Sequence, residues 1–313
     1  MKTVSVVMCT YNGAQYIREQ LDSIVGQTYP IHELIIQDDG STDETVAIIK
    51  EYQAKYPFIK SYINEHNLGF NLNFKSATMK ATGDYVAISD QDDVWFPEKI
   101  EKQVKAIGNY DICFSSHLRG EDINKSYIVN PKYSLEALLF ASFAGHTLLL
   151  ERTFCQIEKH WLDGIIYDWS LEINAQLNNG IVMIDEPLNW HRMHPESACT
   201  QENKKYYPKV HNSRTAPYYL GVYNYYRLQQ KPKWEKLYSH ILEHSSPTRH
   251  QPAHNMCKCM LSKSPFALFR LCCYCLKYRH TIYPPQKNID SLMGRIRSFF
   301  YPFIFSYHNA QYE

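Results

Sequence analysis

No window of the 313-residue sequence reaches about 18 apolar residues free of charge, the length a bilayer requires, so a membrane-spanning helix is not expected. The apolar run after Met1 is too short for a secretory leader, and no small-residue cleavage site follows it, which predicts a cytoplasmic chain. Without an export signal, the nine cysteines are expected to stay reduced instead of forming a disulfide framework. Internal repeats, low-complexity segments and recognisable nucleic-acid modules are all absent, so no nucleic-acid partner is expected, although basic surfaces rich in aromatics can bind single strands. With 44% apolar and 21% charged residues the composition excludes a disordered or collagen-like chain.

What is present is an uneven charge distribution and an excess of tyrosine, 25 residues. The totals, 33 basic and 32 acidic, nearly cancel, yet residues 1–200 hold 16 and 27 and residues 201–313 hold 17 and 5. The two parts carry −11 and +12. The C-terminal part therefore meets a partner of opposite sign or folds back on the acidic part, which itself has room for a cation.

Val4 to Cys9 is a continuous β-branched-rich run, after which Ala14, Ile17, Leu21 and Ile24 recur at helical spacing. Further strands are predicted at 33–37, 59–63 and 84–89, and helices at 43–56 and 70–81, with Ser41-Thr-Asp-Glu44 patterned as a capping box. Such alternation implies βαβ units and a mainly parallel sheet covered by helices on both faces. From Asp111 a strand over 112–115, a helix over 135–143, apolar 147–150, a helix over 169–177 and a strand over 181–184 are expected. The texture changes after Pro195, which predicts two domains, 1–200 and a mostly helical 201–313.

Three of the most polar turns, Thr10-Tyr11-Asn12, Asp38-Asp39-Gly40-Ser41 and Asp90-Gln91-Asp92-Asp93, follow strands of this pattern, where ligands of parallel sheets bind. Three carboxylates within four residues repel one another, and a hard divalent cation relieves that repulsion; an acidic turn capping the helix that begins near Pro97 is the alternative.

Together with Asn67-Leu-Gly69 and Gly83-Asp84, these segments resemble glycosyltransferase family 2 with a GT-A, Rossmann-like fold, over roughly residues 3–195. Asp-Gln-Asp-Asp-Val-Trp95 is similar to the rhamnosyltransferase-like branch. The resemblance implies inverting transfer of a hexose or rhamnose from a UDP-, dTDP- or GDP-linked donor to a glycan or lipid-linked acceptor, in bacterial surface polysaccharide synthesis. Thr10, Tyr11, Asn12, Asn67 and Gly69 would border the nucleotide, with Asp39 near its base or ribose. Asp90 and Asp92 would form the DxD motif, Asp92 ligating Mn2+ or Mg2+ with His194. Arg192 would face the diphosphate, unless His191 to His194 is a solvated basic loop. Gly145 would let the chain pass close to the donor, with His146 either a donor contact or a core histidine. Asp168 would be the general base, its alternative being a helix N-cap. A binding protein of the same fold without turnover is the competing function; the joint presence of Asp92 and Asp168 argues against it.

His254, Cys257, Cys259, Cys272, Cys273 and Cys275 allow a thiolate metal site or buried small hydrophobes. The stretches 261–278 and 295–305 mix apolar and basic residues, a pattern of helices in an anionic membrane interface and also of helices packed on a core.

Overall fold

The structure, a computed structural model, describes residues 1–197, 215–283 and 288–309. They form two compact units. Met1–Asn130 and Phe143–Met193 make the first, and Pro131–Ser142 joins the described residues from His194 onward in the second.

In the first unit the elements run β1 (Val4–Thr10), α1 (Ile17–Val25), β2 (Glu33–Asp38), α2 (Thr45–Lys55), β3 (Ile59–Ile63), α3 (Phe70–Thr78), β4 (Tyr85–Ser89), β5 (Val94–Trp95), α4 (Lys99–Ile107), β6 (Ile112–Gly120), β7 (Tyr127–Val129), β8 (Leu149–Glu151), α5 (Tyr167–Leu177) and β9 (Ile181–Arg192). One sheet results, ordered β3-β2-β1-β4-β8-β6-β9-β5, with β7 added to β6. The first four strands are parallel, as expected for helix crossovers. β8 then enters antiparallel to both β4 and β6, while β9 runs parallel to β6. Alternate residues Val4, Val6 and Met8 of β1 pack with Ile17, Leu21 and Ile24 of α1 and Ile100 of α4, and α3 lies against β1 and β2. This is the GT-A fold, with polar turns gathered beyond the ends of β1, β2 and β4.

Local expectations were met unevenly. The capping box does not form, because Ser41 Oγ donates to Asp38 Oδ2 at 2.6 Å and Asp43 instead accepts from Thr45 N at 3.0 Å. β6 and β9 continue well past the predicted ends, since each is the other's neighbour along most of its length. The helix expected over 135–143 is a single turn, Leu135–Leu138.

The second unit is helical: α6 (Ala216–Leu228), α7 (Pro232–His244), α8 (Gln251–Leu261), α9 (Pro265–Lys277), α10 (Leu292–Phe299) and α11 (Tyr301–Asn309). α6 to α9 each carry proline in the first turn, where its fixed φ suits the helix and its missing N–H costs nothing. α6 and α11 approach so closely that a Cβ on Gly221 would stand 2.3 Å from the Phe303 carbonyl oxygen. Residues 131–142, expected in the first domain, cluster here because Phe140 packs on Tyr301 and Phe305, and Tyr238 Oη donates to the Leu139 carbonyl at 2.7 Å. Cys257, Cys259, Cys272 and Cys275 are buried, and His254 Nδ1 bonds Ser245 Oγ at 2.8 Å. No helix among the described residues is long and apolar enough to cross a membrane.

Candidate active site

The turns after β1, β2 and β4 are tied to one another by their own side chains. Thr10 Oγ1 donates to Asp38 Oδ2 at 2.8 Å, and the same carboxylate accepts from the backbone of Gly40 and Ser41. Tyr11 N–H donates to Gln91 Oε1 at 2.9 Å while Gln91 Nε2 donates back to the Tyr11 carbonyl at 3.1 Å, clamping the first turn to the acidic one. Asn12 takes a positive φ of 47°, which asparagine tolerates, and its Oδ1 accepts from Thr42 N–H at 2.8 Å. Asp39, buried, is occupied by the 64–69 loop: it accepts from Asn64 Nδ2, Leu68 N–H and Gly69 N–H at 2.7, 2.7 and 2.9 Å. Its visible work is to hold Asn67 and Gly69 in place.

Asp168 sits in the first turn of α5, not at its N-cap, which is Ile166. Its carboxylate accepts from the N–H groups of Trp169, at 2.7 Å, and Gly145. Burial raises its proton affinity to about 7 despite those bonds. Preceding it, Tyr167 packs its ring on Phe74 at 4.6 Å and gives its N–H to Asn71 Oδ1, which anchors the start of α5 to α3. Gly145 is required by the same tyrosine, because a Cβ there would lie 2.1 Å from Tyr167 Oη. Asp90 is also held well above the ordinary carboxylate range, first by burial and then by Asp93, Asp92 and Asp168.

Asp93, unassigned by sequence, turns inward and meets two histidines. His146 Nδ1 lies 3.0 Å from Asp93 Oδ2, His191 Nδ1 lies 3.0 Å from His146 Nε2, and Asp93 Oδ1 is 3.5 Å from His191 Nδ1. Potential ligand atoms of the three fall within 4.8 Å of one another. Burial lowers His146 to about 3 and His191 to about 4, so both rings are neutral and keep a lone pair, the form that binds metal. Burial pushes Asp93 up to about 7, with His191 opposing. Nearby, Asn189 Oδ1 and His117 Nδ1 are buried without a hydrogen-bond partner. Carboxylates that raise one another, neutral imidazoles and orphaned polar atoms together fit a divalent cation in or beside the acidic turn.

Two expected residues have other company. Arg192 pairs with Glu19, donates from Nε to the Asp92 carbonyl at 3.1 Å and stacks on Trp190 at 4.4 Å. His194 belongs to the second unit, its Nδ1 3.3 Å from Glu196 Oε2. His191 and Asn189, which sequence did not select, reach His146 because β9 is longer than its apolar start suggested.

A family model described as Glycosyl transferase family 2 matches residues 5–163, about half of the chain, and the chain belongs to that family. Uncharacterized protein Rv1520 of Mycobacterium tuberculosis is 32% identical over 225 residues, which are 66% of this chain and 65% of that protein. Uncharacterized glycosyltransferase RP339 of Rickettsia prowazekii is 35% identical over 147 residues, 45% of each chain. The matches thus span under two thirds of these relatives. Among solved structures, S. aureus TarS 1–349 in complex with UDP-GlcNAc aligns with a TM-score of 0.55 at 16% identity, covering 98% of this chain and 91% of that one. Mannosyltransferase PcManGT from Pyrobaculum calidifontis, in complex with GDP-Man and Mn2+, gives 0.57 at 16% identity, covering 99% and 87%. At such identities the likeness is one of fold.

Proposed function

We propose that the chain moves a sugar from a nucleotide-diphosphate donor to a hydroxyl of a glycan or lipid-linked acceptor, inverting the anomeric centre in one displacement, for a bacterial surface polysaccharide. Asp168 carries this reading. A half-buried carboxylate held by two backbone N–H groups, with proton affinity near neutrality, suits a general base that takes the acceptor proton. Thr10, Tyr11 and Asn12 would seat the nucleotide on the turn that Gln91 clamps. Domain 1–200 would hold the chemistry and 201–313 the acceptor or a membrane surface.

Asp92, or the inner set Asp93, His146 and His191, would hold a divalent ion, and the nitrogen donors favour Mn2+ over Mg2+. A bound ion supplies charge neutralisation on the diphosphate as the sugar departs. Structures of similar fold with UDP-GlcNAc and with GDP-Man and Mn2+ support a donor of this class. The test is purified protein with Mn2+ against UDP-, dTDP- and GDP-sugars, scored by donor turnover and thermal shift. Binding without turnover on any acceptor would favour a non-catalytic nucleotide-sugar binder. Mn2+ titration of Asp92→Asn and His146→Gln variants tells which set holds the ion.

A further inference from the structure

The second unit presents an unusual outer face. Along α9 the buried residues are Leu268, Leu271, Cys272 and Cys275, so the opposite stripe, Phe266, Phe269, Cys273 and Lys277, points to solvent. Phe266 is 79% exposed and Phe269 60%. α10 lies beside α9, with Phe299 against Phe269 at 5.8 Å, and opens with Leu292 and Met293, also exposed. Between the helices is a cavity of about 350 Å³ lined by Cys273, Leu276, Lys277, Arg279 and Arg295. Three basic side chains thus border one small opening.

The surrounding charge is one-sided. Residues 251–309 contain eight Lys and Arg against a single acid, Asp290. Asp290 holds Arg279, at 2.5 Å, and His280, at 3.1 Å. Among the described residues no carboxylate comes within ion-pair distance of Lys277 or Arg295. Clustered water-exposed Phe, Leu and Met mark an interaction surface, and Lys277 and Arg295 beside them, the latter bonded among the described residues only to the Asp290 carbonyl at 3.1 Å, select a negatively charged one. A core could cover the apolar groups, but it would strand the cations.

We infer that this face docks on an anionic lipid bilayer. A headgroup phosphate sits against Lys277 and Arg295, while Phe266, Phe269, Leu292 and Met293 enter the boundary between headgroups and acyl chains. This deepens the membrane part of the proposed function and does not depend on catalysis.

The experiment is co-sedimentation of the full chain with vesicles of phosphatidylglycerol and phosphatidylcholine, and with phosphatidylcholine alone. Binding only to the anionic vesicles, weakened by salt, is expected. Each basic residue removed should weaken partition about five-fold, so Lys277→Gln/Arg295→Gln should lose about 25-fold. Phe266→Ser/Phe269→Ser should lose binding to a similar degree, and neither variant should change melting temperature, since all four positions are exposed. Equal binding to both vesicle types, no binding to either, or unchanged partition in both variants would overturn the inference, as would concentration-dependent dimers abolished by Phe266→Ser/Phe269→Ser in a chain that ignores lipid. Donor thermal shift, measured separately, reports on the glycosyltransferase reading alone.

Discussion

In the proposed reaction the raised proton affinity of Asp168 bears on chemistry and on stability with opposite signs. Folded it titrates near 7, whereas an exposed aspartate titrates near about 3.9. Between those values the folded state binds the extra proton, so this group's contribution to stability falls as pH rises. The ionised form is nonetheless the one able to accept a proton. Transfer rate should therefore climb through about pH 7 and level off above it, read from a pH–rate profile. Asp168→Asn should lower turnover about 10²- to 10⁴-fold with donor affinity retained, and its melting temperature at pH 8 should not fall. A loss of stability with transfer intact would make the residue structural and require another base. Gly145→Ala tests the support of the same carboxylate: the added methyl meets buried Tyr167, and a cost of about 1–3 kcal/mol in denaturant unfolding is expected, partly relieved by Tyr167→Phe.

Turns, not regular elements, carry most of the site, and side-chain to backbone bonds hold them. Gln91 joins the turns after β1 and β4 through two bonds to Tyr11. Each exposed bond of this type contributes about 1 kcal/mol. Gln91→Ala should thus lower stability by about 2 kcal/mol in denaturant unfolding and raise the donor KM while leaving kcat nearly unchanged, a split that steady-state kinetics resolves. The capping-box pattern before α2 was misleading for a related reason. Its serine is consumed by Asp38 and by Asn12 N–H, so the turn serves the site and the helix begins without it.

At the scale of the whole chain, ligand binding couples to stability. A donor that binds only the folded protein should stabilise it by about 2.7 kcal/mol at a hundred-fold excess over Kd. Differential scanning fluorimetry with UDP and Mn2+ should show an upward shift that chelator removes, and that is lost in Asp92→Asn or in His146→Gln according to which set holds the ion. A shift of the same size with and without chelator would rule out the ion. The opposite net charges of residues 1–200 and 201–313 agree with the two proposals, a cation held in the acidic stretch and lipid phosphate on the basic one.

Much of this was legible in sequence because buried parallel strands must be continuous apolar runs and because their ends must be polar where a ligand enters. β1 to β4, the acidic turn and the Asp-Trp start of α5 all stand out by composition over a few adjacent residues. Only tertiary structure could bring together Asp93, His146 and His191, which come from the turn before β5, the turn before β8 and the end of β9. Their meeting depends on β8 entering antiparallel between β4 and β6, a pairing settled by long-range hydrogen bonds instead of local pattern. The exposure of Phe266 and Phe269 was likewise undecided in a stretch that mixes apolar residues with Lys263, Arg270 and Lys277. Sequence shows that such a helix has apolar residues, and only the packing of Leu268, Leu271, Cys272 and Cys275 decides which of them are left facing outward.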